Sequence, residues 1–492
     1  MEWQVRTLLS KGLKMTTMCL LIIVMLLSST VKLGSAQTSS DLHFDNALEW
    51  VLKSKMVVDN PSDPIYDQTT PPMGGVFLDF NIDNGQFVRR IHVPSAAEYV
   101  KLTSDLAKIG YEENVITRLK RVSDFLLAST ATVSLDNRTV TVVAPVWLYK
   151  ENVGWVPIVE EFYTRDTLNV AQALLQAYQV TKFDGYASKA KELLDTAIFL
   201  QSLEEGEVEG GELPQWTSGS LPWMMYNYEA HSNYEVTFRD LDLSLTDVIW
   251  GALTLGYNIW RDEKYLNSRD RYFEFILRSY QQSENVRYPY QFISDRAGQG
   301  LYFANFNSVD KEWGPQEPFT TDMAFYQATG LLINENENLK ILGRKFLNEL
   351  SLLQKGFYFE DSYYPDGESV GYGNATIGTG QYLAVLKLEE NDVLRDRITE
   401  AIFQLQLHDS TDVGSMVYNG AWEWSPGSRL VESMATIITI HSLIISPSMI
   451  PKTVVHTHSP IFLIGVTLAI IAMLASIIFL ARSKLPKPSS RK

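Results

Sequence analysis

One cysteine, Cys19, occurs in 492 residues, and it falls in the segment read below as a cleaved signal. The remaining chain then has no disulfide and no thiol nucleophile. Extracellular domains that lack disulfides must rely on a large apolar core, which several hundred residues can supply. Histidine is also scarce: seven residues, scattered, with no His-Glu metal motif. A histidine-based triad or a zinc site has no support in this pattern. Phosphate-binding glycine loops and a nucleophile elbow are absent as well, and neither a metal nor a cofactor is expected. Cations are few, 42 against 58 anions, for a formal charge of −16. The ends hold a disproportionate share of those cations, leaving 33 against 57 anions between residues 37 and 481, about −24 for the body. Such a surface repels nucleic acid and anionic lipid, so the body is expected to bind neither.

The two ends carry an address. Arg6, Lys11 and Lys14 precede the apolar run 18–27, and Gly34-Ser35-Ala36 supplies the small residues of a cleavage site, so residues 1–36 read as a signal peptide. Residues 461–480 contain no charge, and at ~1.5 Å per residue they span a ~30 Å hydrocarbon core as a transmembrane helix, here bounded as 461–481. Arg482, Lys484, Lys487, Arg491 and Lys492 place the tail, 482–492, in the cytoplasm. The expectation is a single-pass cell-membrane protein with residues 37–445 outside and a stalk over 446–460. Two sequons, at Asn137 and Asn374, suit glycosylation of such a surface.

Between the ends, apolar residues recur with helical spacing. Residues 167–181 and 184–203 form a hairpin around 182–185, and a shift of 79 residues places Ala173, Leu174, Tyr178 and Tyr186 on Ala252, Leu253, Tyr257 and Tyr265. The repeat predicts five complete hairpins, one unpaired helix at the front (42–56) and one at the back (430–443). If those two pair, six hairpins close a ring, an (α/α)6 toroid with small β inserts; an open solenoid is the alternative. Capping patterns at Ser95 with Glu98, Ser244 with Asp247 and Ser425-Pro426 predict helix starts. Asn84-Gly85 predicts a hairpin of strands over 76–93. Asp79, Asn81 and Asp83 invite a calcium-loop reading, against which the glycine falls one place late and Arg90 stands at the twelfth position.

Turns inside hairpins are short and connections between them long, so one mouth of the ring collects the long loops and becomes the candidate site. Trp147, Trp155, Trp216, Trp223, Trp313, Trp422 and Trp424 lie in those connections, seven of the eleven tryptophans. Flat aromatic faces suit sugar rings, and Trp216, Trp223, Trp313, Trp422 and Trp424, with Arg165 and Arg239, are the candidate substrate-binding residues. Glycoside cleavage needs one carboxylic acid and one carboxylate. Glu161, Asp240, Glu317 and Glu423 form the candidate catalytic pool because they precede the expected helix starts. Asp166, Asp247 and Asp322 sit at those starts, where capping is the simpler role.

At Ala173-Leu174, Tyr178, Thr181, Asp184, Tyr186 and Ala190 the hairpin resembles those of six-hairpin glycosidase-like toroids. The resemblance spans roughly residues 41–445 by hairpin count, and it implies hydrolases, polysaccharide lyases or epimerases alongside noncatalytic relatives. Three functions are therefore expected in turn: processing of a carbohydrate polymer by hydrolysis, noncatalytic binding of glycan or protein, or uronate lyase or epimerase chemistry using Arg239 with Tyr234 or His231.

Overall fold

The structure, a computed structural model, describes residues 39–454 except 112, 136–137, 204–217, 223, 227–232, 235–239, 242, 286–305, 308–311, 314–318, 364–367, 372, 408–416, 418–419 and 446. The signal, the 461–480 span, the tail, Asn137, Trp216, Trp223, His231, Arg239 and Glu317 lie outside the described residues. Among the described residues no helix is long and apolar enough to cross a membrane.

Twelve α-helices are described: α1 (Ser39–Lys53), α2 (Val93–Lys108), α3 (Glu113–Ala128), α4 (Thr164–Thr181), α5 (Asp184–Leu203), α6 (Thr246–Trp260), α7 (Glu263–Asn285), α8 (Thr321–Leu332), α9 (Glu337–Ser351), α10 (Thr376–Leu388), α11 (Asp392–Gln404) and α12 (Ser433–Ile444). The even-numbered helices form the inner ring: α2 packs on α4, α4 on α6, α6 on α8, α8 on α10, α10 on α12, and α12 back on α2. The odd-numbered helices wrap outside, and α1 packs against α12, so front and back helices complete the sixth hairpin. Closure is held by buried polar contacts. Arg118 of α3 donates to the carbonyl of Val51 at 2.7 Å, Trp50 Nε1 donates to the carbonyl of Val417 at 2.8 Å, and the Tyr99 hydroxyl also donates to Val51.

The 79-residue repeat matches the hairpin turns. Lys182 and Arg261 both close their helices in the left-handed region, at φ 58° and 59°, with their amides bonded to Tyr178 and Tyr257. The paired tyrosines do the same work: Tyr186 donates to Asp124 at 2.8 Å and Tyr265 to Asp195 at 3.3 Å, each reaching the preceding outer helix.

Five inner helices begin on a buried hydroxyl residue, Thr164, Thr246, Thr321, Thr376 or Ser433. Counting from these starts and from Val93 of α2, the sixth residues Glu98, Gly251, Tyr326, Gln381 and Ile438 line one level of the lumen, and the ninth residues Lys101, Gln172, Thr329, Ala384 and His441 line the next. The inner helices thus run in phase. Their close approach requires glycine: a Cβ on Gly330 would lie 2.2 Å from the Thr246 backbone, and one on Gly378 2.4 Å from Thr321 Oγ1. Gly378 and Gly380 are therefore buried packing positions of α10. Gly330→Ala is expected to destabilise the fold by ~1–3 kcal/mol, because backbone rather than a flexible side chain stands in the way; thermal denaturation measures it.

The capping expectations need correction. α2 starts at Val93 after His92, α6 after Leu245 and α12 after Glu432, none with a side-chain cap, and Ser425-Pro426 starts no helix. Short strands instead lead into the inner helices, and these pair around the rim: 90–92 with 146–148, 161–163 with 224–226, 240–241 with 306–307, and 319–320 with 362–363. The rim closes as the ring does, through Leu430–Glu432 paired with Asp79–Asn81. Beyond α12, the part of the expected stalk that is described crosses back onto α6: Trp250 donates to the Pro451 carbonyl at 2.9 Å and Asn258 to the Lys452 carbonyl at 2.8 Å.

Candidate active site

The inner helices all start at the mouth that collects the long connections, so their positive dipole ends converge there. The strand pairing that closes the rim sets two carboxylates side by side. Asp79 and Glu432 are directly opposed in an antiparallel ladder. Opposed residues project from the same face with Cβ atoms about 5 Å apart. Burial drives both carboxyls upward: Glu432, burdened also by the charges of Asp79, Asp322 and Asp361, is raised to about 8, and Asp79, eased by Arg90, to about 6. Glu432 Oε2 is buried without a hydrogen-bond partner among the described residues. At neutral pH Glu432 is consequently a carboxylic acid with a proton to donate, while Asp322 and Asp361 stand close enough to act on its charge.

Asp322 lies in the first turn of α8, where it takes hydrogen bonds from Thr320 and the Met323 amide, and burial still raises its pKa. Asp361 is fixed beside it, because its carbonyl accepts from the Thr321 amide at 2.9 Å and its amide donates to Gly373. Adjoining Asp322 on the ring, Arg165 grips Asp247 with two bonds of 3.1 and 2.9 Å, donates to the Ser244 carbonyl at 2.9 Å, and lies 4.1 Å over the Tyr326 ring. One guanidinium therefore ties α4, α6 and α8 together. Asp166, next to it, is raised to about 7, chiefly by burial.

The expected site residues separate. Glu161 lies in the strand ahead of α4, partly exposed, opposite Tyr226. Glu423 directs its carboxylate to the amides of Gly427 and Arg429 and shapes that turn. Trp422 is a core residue: it is fully buried, donates to the Ile402 carbonyl at 2.8 Å and stacks on Phe403, which leaves no face for a ligand. Trp424 remains half-buried at the mouth, its carbonyl accepting from the Thr376 amide. Arg165 is spent on Asp247. Asp240, Trp313 and Asn374 are placed by backbone only, opposite Asn307, Phe306 and Glu360. Asp79 and Asn81 form a strand rather than a cation loop, with Asn81 Oδ1 accepting from the Asp83 amide at 2.9 Å. Among the described residues no group of three or more acidic, histidine or cysteine side chains could hold a metal ion. Asp79, Asp361 and Glu432 were missed as site residues. The apolar pattern over 430–443 puts Glu432 inside a helix, and the signal that locates it is its position one residue before the hydroxyl that starts α12, the place Tyr163 and Thr320 occupy before α4 and α8.

No family model matches the sequence, and no curated protein matches it. Solved structures do. A D-mannose isomerase superposes with a TM-score of 0.56 at 10% identity, covering 84% of this chain and 98% of that one. Cellobiose 2-epimerase from Bacillus thermoamylovorans gives 0.55 at 12% identity, over 82% and 98%. The GH76 α-mannanase of Bacteroides thetaiotaomicron gives 0.50 at 10%, over 83% and 95%. The body is an (α/α)6 toroid. At these identities the likeness is one of fold, and the residues of the mouth must carry the chemistry.

The raised carboxyls set a pH dependence for stability. Glu432 at about 8, Asp166 at about 7 and Asp79 at about 6 each hold a proton more tightly in the folded chain than at their ordinary values of 4.5, 3.8 and 3.8. Their stabilising contribution is complete below those ordinary values and is lost as pH rises through the folded ones. Discounted for partial exposure, the loss between pH 5 and pH 8.5 is on the order of 2 kcal/mol, a few degrees in Tm. Calorimetry at the two pH values checks it, and Glu432→Gln should flatten the difference.

Proposed function

We propose that this protein cleaves a glycosidic bond in a carbohydrate polymer at the mouth of the toroid. The observation that carries the reading is the opposed pair Asp79 and Glu432, with Glu432 protonated at neutral pH and Asp322 and Asp361 beside it. In this scheme Glu432 protonates the leaving oxygen, and a second carboxyl group, that of Asp322 or Asp361, activates water or attacks the anomeric carbon. Asp79 keeps the proton on Glu432 by adding negative charge next to it. Arg165 and Tyr326 position α8, and with it Asp322. The fold neighbours named as a mannanase and an epimerase support a carbohydrate ligand, and the acidic mouth favours a neutral one over a uronate.

We place this body outside a membrane, anchored by residues 461–480 with the tail inside, on the strength of the uncharged run and the cations that follow it. Carbonate extraction with protease protection tests the anchor; a tail accessible from outside would reverse the orientation. The function is tested by incubating the protein with neutral polysaccharides and analysing the products. Chain shortening that depends on Glu432 supports hydrolysis, whereas glycan binding without turnover would leave a binding scaffold, and an isomerised product would favour epimerase chemistry.

A further inference from the structure

The hairpin that carries Asp79 also builds the wall of a second cleft. Residues 64–67, Thr69, Phe77, residues 84–87, Arg89 and Trp155 enclose a volume of about 380 Å³. Its aromatic lining is the half-buried Phe87 and Trp155, which pack on the buried Phe77 at centroid distances of 4.3 Å and, edge to face, 5.6 Å; Tyr66, also buried, lies 5.5 Å from Phe77. Its rim is polar, with exposed Asn84 and Gln86 and an exposed ion pair between Arg89 and Asp67 at 3.4 Å. Trp155 Nε1 is buried in this wall with no hydrogen-bond partner among the described residues.

Aromatic faces below and hydrogen-bonding side chains at the edge match the two surfaces of a pyranose ring, apolar on its C–H face and polar at its rim. A purely apolar ligand would leave the Arg89–Asp67 rim uncompensated, and an anionic one would approach a body of about −24 charge. The cleft shares the 79–87 hairpin with the carboxylate pair. Gln86 and Phe87 are the direct strand partners of Asn81 and Phe80, next to Asp79, and Arg89 adjoins the Arg90 that eases the Asp79 charge. We infer that this cleft is a distal subsite that holds sugar rings of a neutral polysaccharide whose cleaved bond lies at Asp79 and Glu432. The inference rests on the hydrolytic reading above and specifies the substrate as a chain rather than a free monosaccharide.

The test uses the full protein carrying Glu432→Gln, run by affinity electrophoresis through gels containing α-mannan, hydroxyethylcellulose or soluble starch. Retention by one of these polymers is expected, with affinity falling at least tenfold on adding either Phe87→Ala or the paired surface changes Gln86→Ala and Arg89→Ala. The surface pair guards against loss of fold, which melting curves monitor. In the active protein the same changes should erase any preference for longer over shorter oligosaccharides. Cleavage of a polymer with cleft variants retained as strongly as the parent would overturn the subsite and leave the hydrolytic reading standing. Absence of both retention and cleavage for all three polymers would overturn both.

Discussion

Glu432→Gln is expected to lower kcat on the cleaved polysaccharide by roughly 10²–10⁴-fold, the usual contribution of a positioned general acid. The amide keeps the shape of the side chain and removes the proton that the leaving oxygen needs. Because the carboxyl titrates at about 8, wild-type kcat/KM should fall on the alkaline side of that value, and the variant should lose this limb. An aryl glycoside with a leaving group that needs no protonation should recover much of the lost rate in the variant. Asp322→Asn and Asp361→Asn separate the roles: the one that serves as base or nucleophile loses activity on both kinds of substrate. A Glu432→Gln protein that retains full polymer cleavage would remove Glu432 from the mechanism.

Arg165→Ala should be the most destabilising single change at the mouth, at about 3–5 kcal/mol. It leaves Asp247 mostly buried, with side chains of both partners only 12% exposed, and takes away the cation that joins three inner helices. The cost is that of an unpaired buried charge rather than the value of the pair. Arg165→Met combined with Asp247→Leu should therefore recover most of the loss, and Arg165→Lys should recover only part, since an ammonium cannot grip a carboxylate with two parallel bonds. Urea denaturation of the four proteins decides. A loss below ~0.5 kcal/mol for Arg165→Ala would return Arg165 to the substrate-binding role first expected of it.

The hairpins were legible in the chain because their causes are local. Helical spacing, short turns at Lys182 and Arg261, and tyrosines that reach the preceding helix repeat with the same period. Counting them, with the lone helices at front and back, was enough to predict a closed ring. Helix starts were less legible: Ser95 and Ser244 looked like caps, yet Ser95 bonds His92 at 2.8 Å, inside the first turn, and Ser244 gives its carbonyl to Arg165. Those choices depend on strands that arrive from other parts of the chain.

The sequence by itself determined the helical hairpins and the side on which their long connections gather, since connection lengths and apolar periods are properties of neighbouring residues; closure of the ring was settled by contacts between its two ends. Which acids work together was decided only by the tertiary structure. Asp79 and Glu432 come from opposite ends of the body, and no spacing relates them; they meet because α1 packs on α12 and the rim closes with a ladder between their strands. The same closure removes water from them, raises their pKa values, and turns two carboxylates distant in sequence into a proton donor and its electrostatic partner.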